Sequence, residues 1–155
     1  MSDTKPRPWT PSEERIAKIA TRIMSFANTL VFRVSGGRLG SKFLRGAPVC
    51  LLTSKGARSG QWRTTPLIYL ADGERVVLVA SVGGMSRNPA WYHNLVHYAE
   101  CRVQIGSRVR EMSARRASGA EKEQLWPRLL AIYPDYADYQ ARTERNIPVM
   151  ILSPR

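Results

Sequence analysis

Residues 49–70 read VCLLTSKGARSGQWRTTPLIYL. Two apolar runs, Val49–Thr53 and Leu67–Leu70, flank a segment from Ser54 to Pro66 that holds two glycines, three cations and no acid. Short apolar runs bounded by glycine read as paired strands, the second extending back to Thr64. A turn that only reversed the chain would need neither the cations nor the hydroxyls. Glycine leaves backbone amides free to face an anion, and Lys55, Arg58 and Arg63 around them suit a phosphate or a row of carboxylates.

The β pattern continues downstream. Asp72-Gly73 is a hairpin turn, Arg75–Ser81 is another β-rich run, and Gly83-Gly84 breaks it. Asn88-Pro89 then caps a short helix from Ala90 towards Tyr98, with proline at its first position. Arg102–Ile105 and Arg108–Ala114 form a hairpin over Gly106-Ser107. Ser118 and Glu121 make a capping box for a helix through Leu130, with Pro127 as its kink. Asp135–Arg145 reads as helix and Ile147–Leu152 as a closing strand. Five or six antiparallel strands with peripheral helices define an α+β, barrel-like sheet, not alternating βαβ units. No internal repeat and no linker interrupts it.

Upstream, Thr10-Pro11-Ser12-Glu13 reads as N-cap, N1 proline and capping-box glutamate. Behind it Ile16, Ile19, Ala20, Ile23, Met24, Ala27, Leu30 and Val31 recur at helical spacing, with Arg15, Lys18 and Arg22 off that face. Gly36-Gly37 and Gly40 end the helix. Such a helix packs its apolar face on its own domain or lies on a membrane surface; packing is the commoner outcome.

Composition narrows the classes. The chain has 155 residues, a net charge of +12 and 43% hydrophobic residues, enough for one domain with a genuine core. No apolar run approaches the ~18 residues of a transmembrane helix, and the polar, proline-rich Met1–Pro11 does not read as a signal peptide. The charge is uneven: net +6 over residues 1–46, +4 over 101–117 and −1 over 118–145. With no basic run, zinc-finger, RNP or KH pattern, nucleic acid is not the expected partner. Cys50 and Cys101 stand in strand-like settings without metal-ligand spacing and read as buried free thiols of a reducing cytoplasm.

Hydrolytic chemistry fits poorly. His93 and His97 are four apart, but no glutamate follows His93 to make a zinc motif, so no metal is expected. No G-x-S-x-G elbow or Walker lysine is present. A second dense segment, Gly83 to Leu95, reads GGMSRNPAWYHNL: a glycine pair at a strand end leading into a helix start, with Trp91 offering either core packing or a surface for a planar ring. A third, Tyr133-Pro134-Asp135-Tyr136-Ala137-Asp138-Tyr139, places tyrosines three apart. Their phenols either line a pocket as protonated hydrogen-bond donors or form an aromatic packing cluster.

In combination, LLTSKGARSGQWRTTPLIYL, LVASVGGMSRNPAWYHNL and YPDYADYQARTERNIPVMIL resemble the deazaflavin-dependent nitroreductase family, small split β-barrel proteins of actinobacteria that use coenzyme F420. The resemblance runs from Phe43 to the C-terminus in unbroken order. It implies a split β-barrel of the FMN-binding, pyridoxamine-phosphate-oxidase-like type over residues 43–155, with five to seven mostly antiparallel strands and peripheral helices. Residues 1–42 form an extension carrying the amphipathic helix.

The same resemblance implies an F420H2-dependent reductase passing a hydride to a quinone, a nitroaromatic or another conjugated acceptor. Lys55, Arg58 and Arg63 would hold the coenzyme's phosphate and oligoglutamate tail, and Thr64, Thr65 and Pro66 would continue the groove. Ser81, Gly83, Gly84 and Trp91 would meet the ring or its side chain. Ser81, Tyr133, Tyr136 and Tyr139 would serve the acceptor. Val82 and Ile68 stand where some relatives carry lysine and tyrosine, so nitroimidazole reduction is not implied. The alternatives are the same barrel using FMN, and a non-catalytic F420 carrier. Split barrels of this kind often form homodimers, and a hydrophobic quinone gives the N-terminal helix a reason to touch the inner face of a membrane.

Overall fold

The computed structural model describes residues 5–35 and 46–155. The glycines expected to end the first helix, and the expected boundary between residues 42 and 43, lie outside the described residues. The elements are α1 (Pro11–Val34), β1 (Val49–Lys55), β2 (Trp62–Asp72), β3 (Arg75–Val79), α2 (Ala90–His97), β4 (Glu100–Ile105), β5 (Arg108–Arg116), α3 (Gly119–Ile132), α4 (Tyr136–Arg142) and β6 (Val149–Pro154). A single 3₁₀ turn, Val82–Gly84, separates β3 from α2.

All strand pairs are antiparallel, and they close into a barrel in the order β1-β2-β3-β6-β5-β4. Closure leaves each strand paired on both sides over part of its length, so no long edge is exposed to template aggregation. β1 and β2 are longer than the apolar runs alone suggest. Lys55 pairs with Trp62, leaving only Gly56–Gln61 as the turn; Thr64, Thr65 and Pro66 are strand.

Two cores follow from the two faces of the sheet. Inside the barrel lie Cys50, Leu52, Val76, Leu78, Met112 and Leu152, and α2 plugs one end with Trp91, Tyr92 and Leu95. Outside, α3 and α4 cover β3 and β6 over Val77, Ile151, Leu125, Leu129, Tyr133 and Tyr136. Each fully buried aliphatic chain contributes about 1.5–3 kcal/mol relative to exposure. Both cysteines are buried inside the barrel, and burial pushes each thiol up to about 12. The capping box of α3 forms as expected, with Ser118 Oγ accepting from the Glu121 amide at 3.2 Å and the Glu121 carboxylate accepting from the Ser118 amide at 2.8 Å. Lys122 ties α3 to α4 and the chain after it through Gln140, Asn146 and the Ile147 carbonyl.

The first helix is where the structure departs most from expectation. Its capping box is present: the Thr10 amide donates to Glu13 Oε2 at 2.8 Å, and Thr10 Oγ1 accepts from the Glu13 amide at 3.3 Å. Its apolar face, however, does not pack on the domain. Ile16 is 68% exposed, Ile23 66% and Phe26 74%. The helix docks by its other side, through Glu14 and the fully buried Phe32, 18 residues apart. Five turns of 3.6 residues put those two on one line, opposite the isoleucine stripe. Among the described residues no helix is long and apolar enough to cross a membrane.

Candidate active site

The β1–β2 hairpin carries its cations on two faces. Directly opposed residues of an antiparallel pair share a face, and successive ones alternate. Lys55 with Trp62, Thr53 with Thr64 and Leu51 with Pro66 therefore look outward; Ser54 with Arg63 and Leu52 with Thr65 look towards the barrel interior and its end. Thr53 and Thr64 hydroxyls are 2.9 Å apart. Lys55 Nζ lies 4.7 Å from the centre of the Tyr98 ring, and Arg63 Nη2 donates to Gln61 Oε1 at 3.2 Å. Arg58 is exposed at the turn. Among the described residues no carboxylate pairs with Lys55, Arg58 or Arg63.

The expected cradle of free amides is narrower than the two glycines suggest. Gly56 N–H donates to the Gln61 carbonyl at 2.8 Å, Gly60 N–H to the Gly56 carbonyl at 2.8 Å, and Gln61 N–H to Ser59 Oγ at 3.2 Å. Ala57 N–H donates to Asn94 Oδ1 on α2 at 2.9 Å, and Asn94 Nδ2 reaches the buried Ser54 hydroxyl at 3.3 Å. Four of the six turn amides are thus taken, and those of Arg58 and Ser59, which make no hydrogen bond among the described residues, remain for an anion beside the side-chain cations. Asn94 fastens the turn to the helix that plugs the barrel.

The segment after β3 is the second component. Val82, Gly83 and Gly84 have φ of 44°, 61° and 77°, three left-handed residues in succession. Glycine adopts this freely, whereas a β-branched valine there is strained. Four groups from distant sequence hold the segment. Trp9 Nε1 donates to the Gly83 carbonyl at 2.7 Å, and Glu14 accepts from the Ser86 amide at 2.8 Å and its hydroxyl at 3.1 Å. Arg145 donates to the carbonyls of Met85 and Ser81, both at 2.8 Å. Tyr139 packs so closely that a Cβ on Gly84 would lie 2.5 Å from its carbonyl oxygen. Asn88 does not cap α2: its amide oxygen accepts from Arg145 Nη1 at 2.7 Å, and Pro89 sits at the N-cap instead of N1. The Ser81 hydroxyl makes no hydrogen bond among the described residues.

The tyrosines form the third component, and both earlier readings hold in part. Tyr133 and Tyr136 are 3% and 4% exposed, packed edge to face with ring centres 5.1 Å apart. Tyr139 is half-buried, and its hydroxyl is 3.0 Å from that of Tyr133. Burial pushes the Tyr133 and Tyr136 phenols well above their usual value, so both stay protonated donors at neutral pH. Ile68 joins the same outer cluster. Trp91 lies in the barrel interior at 7% exposure, supporting the site from beneath instead of offering an open face.

Sequence patterns gave no sign of Trp9, Glu14, Asn94, Arg142 or Arg145. Arg142 stacks over the Trp9 indole at 5.4 Å, and its buried Nε–H has no protein partner. The nearest signal was the cation Arg145 directly ahead of the closing strand. Three hairpin cations without an acid partner, an orphaned guanidinium donor and a free serine hydroxyl beside the glycine turn fit an anionic, flat coenzyme with a charged tail.

Comparison with known proteins agrees. The sequence model of F420H(2)-dependent quinone reductases matches residues 25–154. A Mycobacterium tuberculosis protein provisionally named F420H(2)-dependent quinone reductase Rv3178 is 42% identical over 118 residues, 76% of this chain and 99% of that one. The F420H(2)-dependent quinone reductase Rv1261c of the same species is 35% identical over 81% of this chain and 86% of its own. A solved F420-H2 dependent reductase superposes with a TM-score of 0.64 at 38% identity, covering 68% of this chain and 94% of that one. A structure described as a domain-swapped dimer gives 0.67 at 33%, covering 83% and 97%. A Listeria innocua protein of the pyridoxamine 5′-phosphate oxidase type, at 15% identity and 0.51, shares the fold alone.

Proposed function

The chain belongs to the F420H(2)-dependent quinone reductase family, and on that premise we propose which of its residues perform the hydride transfer from reduced F420 to a quinone. Bound F420H2 supplies the hydride, so no side chain need act as a nucleophile. Arg58 and Arg63 at the hairpin end, with Lys55 on its outer face, hold the phosphate and the tail carboxylates through charge-assisted hydrogen bonds. Thr64 and Pro66 share the outward face with Lys55 and continue the groove. Thr65 points inward and contributes its strand backbone. Ser81, Gly83 and Gly84 meet the ring, and Trp91 fixes the plug beneath them. Tyr139, the open member of the tyrosine group, donates to the acceptor oxygen where negative charge develops, with Tyr133 and Tyr136 fixing its position.

The observation that carries this reading is the contact of Tyr139 with Gly84, which joins the ring turn and the tyrosine group into one site. F420 fluorescence titration tests it, with FMN as the control ligand. Arg63→Ala weakens F420 binding by about tenfold or more, the loss of one charge-assisted contact. Tyr139→Phe leaves binding intact and lowers turnover with quinones. Normal F420 affinity in Arg63→Ala puts the tail elsewhere. An F420H2 oxidation assay over quinones, nitroaromatics and enones sets the acceptor range, and oxidation by none of them makes the protein a carrier.

The outward isoleucine stripe of α1, flanked by Arg15, Lys18 and Arg22, suits the interface of an anionic bilayer. Co-sedimentation with anionic but not neutral vesicles, weakening with salt, supports that contact. A homodimer that shields the stripe and abolishes vesicle binding replaces it.

A further inference from the structure

Arg145 binds more of the ring turn than any other side chain. Its Nε donates to the Met85 carbonyl at 2.8 Å, and Nη1 to Asn88 Oδ1 at 2.7 Å. Nη2 reaches the carbonyls of Ala80 at 3.1 Å and Ser81 at 2.8 Å. One planar guanidinium thus gathers both ends of the segment Ala80–Asn88, whose middle holds the left-handed Val82, Gly83 and Gly84. Strain at Val82 persists only where surrounding contacts over-determine it. Arg145 supplies four such contacts, all to uncharged oxygens.

No carboxylate pairs with Arg145 among the described residues. The closest opposing influence is Glu14, whose carboxylate is committed to Ser86 on the same turn. Arg142, the other cation packed at this turn, is stacked on Trp9 and likewise has no acid partner. Arg145 is half-buried, and even partial desolvation of a charge without a carboxylate beside it carries a cost. Here the cost is accepted behind a turn that, by the reading above, faces a coenzyme ring able to carry negative charge.

We propose that Arg145 is a positioning residue with two separable effects: its fork holds the Ser81–Gly84 turn in the ring-binding conformation, and its unpaired charge favours the anionic form of a bound deazaflavin. This rests on the placement of the ring at that turn. Because arginine stays protonated throughout the accessible range, the charge is constant.

The test compares full-length wild type with Arg145→Met, Arg145→Lys and Asn88→Ala. In coenzyme-free protein, amide exchange is read at Gly84 and Met85, whose N–H groups donate to Ser81 and Val82 carbonyls. Arg145→Met accelerates both by about tenfold or more while strand amides keep their protection. Arg145→Lys, which lacks the fork, shows the same direction, and Asn88→Ala a smaller one. The second readout is the absorbance titration of the 8-hydroxyl of bound oxidised F420. Arg145→Met raises the midpoint by about one pH unit, and Arg145→Lys restores it because the charge is kept.

A folded Arg145→Met with unchanged exchange and an unchanged midpoint overturns the proposal. If it does not fold, unchanged exchange in both Arg145→Lys and Asn88→Ala overturns the fork, and a raised midpoint in Arg145→Lys overturns the charge effect. Wild type that fails to bind F420 overturns the site reading itself. Wild type that binds, with variants titrating identically, overturns only the role of Arg145 as a charge.

Discussion

Replacing Gly84 by alanine isolates the contact on which the proposed site depends. At φ 77° an alanine is left-handed, which costs about 1–2 kcal/mol. Its Cβ would also stand 2.5 Å from the Tyr139 carbonyl oxygen, 2.9 Å from Cα and 3.1 Å from the carbonyl carbon. These are backbone atoms of α4, so no side-chain rotation relieves them; the helix has to move, and overpacking of this kind costs about 1–3 kcal/mol. The total of about 2–5 kcal/mol corresponds to a melting temperature lowered by about 4–20 °C for a chain of this size. Gly73→Ala is the matched control, left-handed at φ 61° with nothing within 4 Å of the added carbon, and loses only the backbone part, about 1–2 kcal/mol. Thermal unfolding by circular dichroism gives both numbers. Because α4 carries Tyr139, the same variant loses quinone turnover by about a hundredfold, the expected consequence of misplacing a reacting partner by an ångström. If Gly84→Ala melts together with Gly73→Ala, α4 does not rest on the turn and the site is not a single unit.

Asn94→Ala leaves the Ala57 amide and the Ser54 hydroxyl, at 1% exposure, without their partner, a loss of about 1–3 kcal/mol in urea unfolding and of F420 affinity that grows with tail length. Tyr139→Phe removes the 3.0 Å contact with Tyr133 and costs no more than about 1 kcal/mol of stability while lowering kcat with quinones. Acid exposes the two capping boxes. Glu13 is held at about 2 by the Thr10 amide and Arg7, and Glu121 at about 2 by Arg115 and the Ser118 amide, against an ordinary 4.5. Depressed carboxyls stabilise fully above their unfolded value, so helicity falls as pH drops from 4.5 towards 2, and Glu121→Gln blunts the fall. Cys50 and Cys101, raised to about 12, stay unreactive to a thiol reagent at pH 8 until the protein is unfolded, when both titrate.

The barrel was legible because its signals are local. Period-two runs, glycine turns and two capping boxes each fix an element within a few residues; the Gly106-Ser107 turn appears where expected, while the first turn falls one residue late, at Gly73-Glu74, because Asp72 still pairs with Arg75. Strand ends were less legible: Lys55 and Trp62 are polar or exposed, so hydrophobic pattern stopped short of a pairing that backbone geometry continues. The cations of the hairpin could be named, yet not their division between faces, which register decides. Trp9, Asn94 and Arg145 act across 74, 37 and 64 residues of chain, and nothing in the residues beside them announces the partner. The first helix shows the opposite failure. Its stripe is plain in the sequence, but periodicity says only that a face exists, not whether the domain or something else receives it.

The direction in which α1 is turned has a kinetic consequence. Its apolar stripe looks away from the barrel while Trp9 and Glu14, at its start, grip the very turn assigned to the ring. If the stripe rests on a bilayer as proposed above, a lipid-soluble quinone reaches the protein from a two-dimensional reservoir. Saturation is then set by the mole fraction of quinone among the lipids and not by bulk molarity. Adding quinone-free lipid at constant quinone slows the reaction, whereas a water-soluble quinone analogue, reaching the same tyrosines from solution, is indifferent to it.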